Sequence, residues 1–138
     1  MRVDGTITRD GRYWIAEIPI LDTMTQERTR EECLSMAEDL VESLAQRPNF
    51  RVTAHYVGND RIELSANRPA ELTRLILKRQ RTRSGLSLAE VAERLGATSR
   101  NAYARFEQGR STPTVEKLDQ LLRAVSPDQD FVIGQSQQ

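Results

Sequence analysis

The sequence has one cysteine, Cys33, and one histidine, His55. The first count excludes an internal disulfide, and the chain is expected in a reducing, cytoplasmic compartment. The second excludes a metal centre built on several histidines. Cys33 falls beside an apolar helical stripe and reads as core; His55 falls on a predicted strand and reads as a surface residue. No apolar run approaches the roughly 18 residues that a membrane helix needs, so no membrane partner is expected. The first residues, Met1-Arg2-Val3-Asp4-Gly5, lack the basic and then apolar layout of a signal peptide. No internal repeat or low-complexity segment is present.

Charge is plentiful: 29% of the 138 residues are charged and 38% hydrophobic, the balance of a folded soluble chain holding one ordinary domain or two small ones. The zero net charge hides an asymmetry. Residues 1–68 hold 9 Lys+Arg against 12 Asp+Glu, whereas residues 69–125 hold 11 against 6. The first part is net acidic and suits a basic protein partner. The second is net basic and suits phosphates.

Residues 2–9 alternate with period two and are rich in β-formers. Asp10-Gly11 signals a hairpin, and residues 12–18 read as a second strand that Pro19 ends. Trp14, Ala16 and Ile18 share one face of it; Tyr13, Ile15 and Glu17 share the other. Residues 20–28 are expected as a loop. Thr29 and Glu32 have capping-box spacing, and a helix is predicted over 30–46. Strands over 50–57 and 61–66 follow, joined by Gly58-Asn59-Asp60. The first module is therefore expected as ββαββ over residues 1–66, α+β in class.

A linker is expected at 67–69, then an all-α domain over 70–126 and a tail over 127–138. Helices are predicted over 69–83, from Ser87 to Leu95, over 100–107, and from Thr112-Pro113-Thr114 onward. Ser87 and Glu90 form a second capping-box pattern, and Leu88, Val91, Ala92 and Leu95 fall at i, i+3, i+4 and i+7. The second and third of these helices, joined through Gly96-Ala97-Thr98, have helix-turn-helix spacing, in which the second helix enters the major groove.

The segment from Leu86-Ser87-Leu88-Ala89-Glu90 to Leu95-Gly96, with Arg105-Phe106-Glu107-Gln108-Gly109, resembles the phage-repressor (XRE-type) helix-turn-helix family. It departs from that family at Leu88, where glutamine is frequent, and in a turn one residue longer than usual. The resemblance implies double-stranded operator DNA as partner. Groove and phosphate contacts are expected from Ser87, Thr98, Ser99, Arg100, Asn101 and Arg105, with Lys78, Arg79, Arg81 and Arg83 on phosphates. Tyr103 and Phe106 read as core.

In the first module no catalytic constellation emerges. A metal-dependent nuclease would need several of Asp4, Asp10, Glu17 and Asp22 on one metal, and the turn and loop already account for Asp10 and Asp22. No enzyme activity, metal or cofactor is expected. The run Tyr13-Trp14-Ile15-Ala16-Glu17-Ile18-Pro19, then Thr25-Gln26, then Thr29-Arg30-Glu31-Glu32, resembles the N-terminal domain of HicB-family antitoxins, with Glu27 where glycine is usual. That resemblance implies a degenerate RNase H-like module that occludes a small HicA-like mRNA-cleaving toxin. Contacts to the toxin are expected from Glu17, Asp22, Met24, Glu27, Glu31 and Glu32. Operon autorepression, by a homodimer or higher oligomer reading two half-sites, completes the expectation. The alternative is a transcription regulator whose first module senses a small ligand.

Overall fold

A computed structural model describes residues 1–136. The chain divides into two compact units, one running through Leu72 and one from Thr73 to Ser136. The class is α+β, as the sequence patterns imply, with one strand more than expected.

The first unit is a five-stranded sheet in the order β3-β2-β1-β5-β4, with α1 on one face. The strands are β1 (Arg2–Asp10), β2 (Tyr13–Ile18), β3 (Thr23–Glu27), β4 (Val52–Gly58) and β5 (Arg61–Ala66), and α1 is Arg30–Ala45. Every ladder is antiparallel. β3 corrects the expected loop over 20–28. Its residues do alternate, with Thr23, Thr25 and Glu27 half-buried and Met24 and Gln26 exposed. Because no strong apolar residue faces inward, the period-two signal is faint. A 3-10 turn at Pro19–Leu21 and a left-handed Asp22 (φ 48°) swing the chain from β2 into β3.

Local chemistry explains the connections. The β1–β2 hairpin turns on Gly11 and Arg12, with Asp10 paired to Tyr13 and Gly11 at φ 63°. Only the first central residue has positive φ, the pattern of a type II′ turn. The β4–β5 hairpin turns on Asn59 and Asp60, both at positive φ, as a type I′ turn requires. Thr29 caps α1, its Oγ1 accepting from the Glu32 N–H at 3.1 Å.

One face of the sheet and the inner stripe of α1 form the first core. Val3, Ile7, Ala16, Ile18, Ile62, Leu64 and Val52 are buried from the sheet, and Cys33, Ala37, Val41 and Ala45 from α1. Burial pushes the Cys33 thiol above its ordinary value, and its Sγ donates to the Trp14 carbonyl at 3.4 Å. The opposite face is polar. Arg2 pairs with Glu63 at 3.0 Å, Arg61 with Asp4 at 3.2 Å, and the His55 ring with the Ser65 hydroxyl at 2.9 Å.

Asn67 and Arg68 lead from β5 into α2 (Pro69–Arg83), which Pro69 begins, where its missing N–H costs nothing, and the division of the two units falls within that helix. The second unit continues with α3 (Leu88–Arg94), α4 (Ala104–Glu107) and α5 (Val115–Val125). Leu77, Val91, Ala92, Tyr103, Leu121, Ala124 and Val125 form its core, with Leu88, Leu95 and Phe106 packed against it. The helix predicted over 100–107 is shorter than expected, since residues 99–103 are turns.

Gly5 sits in β1 where chains pass closely. A Cβ there would meet the Glu17 carbonyl oxygen at 2.5 Å and Ile62 Cγ1 at 3.0 Å. Gly5→Ala is expected to destabilise the chain by about 1–3 kcal/mol, as overpacking does. Thermal denaturation followed by circular dichroism checks it; an unchanged midpoint would contradict the close packing.

Candidate nucleic-acid interface

The helix-turn-helix is built from α3 and α4. Ser87 caps α3 in a complete capping box. Its Oγ accepts from the Glu90 N–H and its own N–H donates to the Glu90 carboxylate, each at 3.1 Å. That hydrogen-bonded ring holds the Glu90 carboxyl below its ordinary value. The expected DNA contact Ser87 is therefore first of all a cap; its backbone N–H is already engaged.

At the other end of α3, the Gly96 N–H bonds the Glu93 carbonyl at 2.9 Å and the Ala97 N–H bonds the Ala92 carbonyl at 3.0 Å. This is the Schellman pattern, and Gly96 at φ 72° takes the left-handed position without the steric cost a Cβ would bring. The helix stops cleanly and the chain turns toward α4.

α4 has four residues, too few to hold itself by backbone hydrogen bonds alone. α2 holds it instead. Arg81 donates from Nε and Nη2 to the two oxygens of Glu107, at 2.8 and 2.7 Å, and from Nη1 to the Leu86 carbonyl at 2.8 Å. Arg74 donates to the Glu107 carbonyl at 3.0 Å, satisfying an acceptor that the helix end leaves open. The Arg81–Glu107 pair is largely buried, at 17% and 7% side-chain exposure, and a bidentate geometry is what makes such a pair hold. The Glu107 hydrogen bond raises the already high Arg81 pKa. Beside it the Tyr103 hydroxyl is buried with no hydrogen bond of normal geometry among the described residues. Burial first, and then the Glu107 carboxylate acting through space, push that phenol well above its ordinary value.

Arg81 was expected on a DNA phosphate. The structure corrects that expectation, since its guanidinium is turned inward and holds α4 in place. Arg83 is also engaged, with the Ser126 hydroxyl at 2.8 Å and Asp128 at 3.1 Å. Arg79 is half-buried, whereas Lys78 is exposed.

The remaining candidates converge on one short stretch. Thr98, Ser99, Arg100, Asn101 and Arg105 are all exposed. Ser99 Oγ accepts from the Asn101 N–H at 3.2 Å, so a side-chain turn presents Arg100 and Asn101 just before α4. The Arg105 guanidinium lies 6.0 Å from the Phe106 ring centre. Over residues 95–112 the basic groups are Arg100, Arg105 and Arg110, all exposed, and Glu107 is the sole acidic one. Because Glu107 is buried against Arg81, the exposed charge of this stretch is all positive.

Sequence reasoning missed three contributors. Arg110, exposed just beyond Gly109 and bonded to Gln108, adds a cation to the same stretch. Its charge was the only signal. Arg74 and the role of Glu107 were missed because neither shows in a periodicity; they follow from which turns of α2 meet α4.

A family model described as a helix-turn-helix domain matches residues 75–130. No curated protein matches the chain.

Two outcomes test this assignment. Arg81→Ala or Glu107→Ala leaves one buried charge alone and is expected to cost about 3–5 kcal/mol. Tyr103→Phe, which removes an unsatisfied hydroxyl, is expected to be neutral or stabilising; denaturant unfolding of the three variants separates them. In DNA binding, Arg105→Ala and Asn101→Ala are each expected to cost about 1–3 kcal/mol on a cognate site and to relax specificity. Lys78→Ala is expected to flatten the salt dependence without changing sequence preference. A titration of labelled duplexes at several salt concentrations reads both, and a loss of affinity on all duplexes alike would remove Arg105 and Asn101 from base reading.

Proposed function

We propose that this chain is a HicB-type antitoxin that also represses its own operon. On this reading the second unit binds double-stranded operator DNA, and the first binds and covers a HicA-like mRNA-cleaving toxin. A homodimer or higher oligomer reads the two half-sites. The DNA half rests on the helix-turn-helix match and on the cationic stretch at 98–110.

The toxin half rests on the resemblance carried by residues 13–32, and one structural observation supports it. On the polar face of the sheet, the carboxylates on the β1–β5 side are paired with arginines. On the β2–β3 side, Glu17 lies directly opposite Met24, which is 55% exposed. An RNA-binding protein carries basic surface, and a carboxylate beside an uncovered apolar side chain offers it both a charge partner and a hydrophobic anchor.

The six expected toxin contacts do not form one patch. Glu17 and Met24 share the polar face. Glu27 pairs with Trp14 on the helix-covered side, Glu31 and Glu32 are exposed on the first turn of α1, and Asp22 sits in the turn before β3. The reading therefore weights Glu17 and Met24 above the other four. The RNase H-like description of the module is carried by the resemblance. No specific observation favours the small-ligand alternative.

The experiment is co-expression with any small basic reading frame that adjoins the gene, followed by a growth test and affinity capture. Rescue of growth with a stable complex is expected, and Glu17→Lys combined with Met24→Asp is expected to weaken that complex at least about tenfold. A neighbour that is harmless and does not bind would end the antitoxin reading and leave a DNA-binding regulator.

A further inference from the structure

The two edges of the sheet are treated differently. β4 forms one edge, and two of its outward N–H groups are taken by α1. The Val52 N–H donates to Glu42 Oε2 at 2.9 Å and the Ala54 N–H to Glu38 Oε2 at 2.8 Å. Glu38 and Glu42 are one helical turn apart, so the two carboxylates reach alternate residues of the strand. Donors already engaged in this way are not offered to another strand.

β3 forms the other edge. The direction of its backbone groups follows from the β1–β2 hairpin. Asp10 and Tyr13 flank a two-residue turn and exchange both hydrogen bonds, so Tyr13, Ile15 and Glu17 bond toward β1. Trp14, Ala16 and Ile18 then bond toward β3, where their partners are Glu27, Thr25 and Thr23. The N–H and C=O groups of Met24 and Gln26 therefore point away from the sheet. Among the described residues no side chain or backbone from outside the sheet bonds to them. β3 carries no lysine, proline or bulge to discourage pairing.

We infer that β3 is the site where a second copy of this chain adds, antiparallel and centred on Thr25, to join two sheets into one. The occupant follows from charge and register. In that register all five residues overlap, Met24 faces Gln26 of the second copy, and Thr23 faces Glu27, so no like charges oppose each other. Beyond the strand ends, Asp22 comes level with Arg28 of the second copy, and the two-fold axis makes that opposite-charge match twice. Met24, exposed in the single chain, gains cover. The pairing also closes on itself. Once the two β3 strands meet, the outer edges of the joined sheet are the two β4 strands, where Glu38 and Glu42 already engage two donors, so the two-fold pairing closes at two copies. This interface goes beyond the antitoxin reading; it is held by backbone groups of the edge and shares Met24 with the proposed toxin face, so self-association and crosslinking test it while capture of the toxin by the wild-type chain tests that reading.

Two measurements on the full chain test it. The first is sedimentation velocity across a concentration series, comparing the wild type with Met24→Pro. The Met24 N–H faces away from β2, so proline there leaves the internal ladder intact while removing an outward donor. The wild type is expected to reach the mass of a dimer, and Met24→Pro to weaken dimerisation at least about tenfold. The second uses Met24→Cys and Gln26→Cys chains, which remain informative if the proline variant does not fold. Under mild oxidation the mixture is expected to form a disulfide between one variant and the other. Each variant alone is expected to stay uncrosslinked, because the register sets position 24 opposite position 26 and not itself. Cys33 is buried and does not compete. A wild type that stays monomeric, a folded Met24→Pro that dimerises as well as the wild type, or a mixture that yields no mixed disulfide would each overturn the proposal. Toxin binding and growth rescue by the wild-type chain read the antitoxin function separately.

Discussion

The Arg81 guanidinium reaches three acceptors at once, the two oxygens of Glu107 and the carbonyl of Leu86. The helix-turn-helix depends on this arrangement. α4 is a single turn, and its position is fixed from outside by α2, through Arg81 and Arg74. The same pair sets the electrostatics. Glu107 would otherwise place a negative charge among Arg100, Arg105 and Arg110; buried and matched, it leaves a surface suited to phosphate and base edges. One ion pair thus does a structural task and gives the surface its sign. The neighbouring Tyr103 hydroxyl, buried without a good hydrogen bond, shows how closely the aromatic is packed against it.

The first unit shows a comparable division of labour among its surfaces. α1 covers one face of the sheet and, through Glu38 and Glu42, one edge as well. The polar face is knitted by Arg2–Glu63 and Arg61–Asp4 on one side and left open at Glu17 and Met24 on the other. The open part of the polar face and the β3 edge are therefore distinct surfaces. Binding to the face uses side chains and selects by charge and shape, whereas addition at the edge uses backbone groups and selects by register.

Strongly patterned segments were legible in the sequence. The capped starts at Thr29 and Ser87 and the Leu88, Val91, Ala92 and Leu95 stripe lie where local rules put them, and the first hairpin turns on Gly11-Arg12, one residue beyond the Asp10-Gly11 signal, since caps, turns and helical stripes depend on residues within a few positions of one another. β3 escaped because an edge strand buries little; its inward residues are two threonines and a glutamate. The third helix of the second unit is shorter than its expected span of 100–107, because a turn in which Ser99 accepts from the Asn101 N–H occupies the segment before Ala104. The burial of Cys33 and Tyr103 was also foreseeable, from apolar stripes that their neighbours already marked.

The sequence by itself determined the two-part organisation, the charge contrast between the parts, the α+β class and the helix-turn-helix, because each is written in short-range pattern or in composition. Only the tertiary structure decided which cations are free. Lys78 and Arg81 look alike in the sequence, three residues apart on one helix, yet one is exposed and the other is held by Glu107, 26 residues further along. It also decided which candidate carboxylates meet, placing Glu17 beside Met24 and Glu27 on the opposite side, and which sheet edge stays open. The physical reason is common to all three. Burial and pairing arise from contacts between residues far apart in the chain, and no local propensity encodes them.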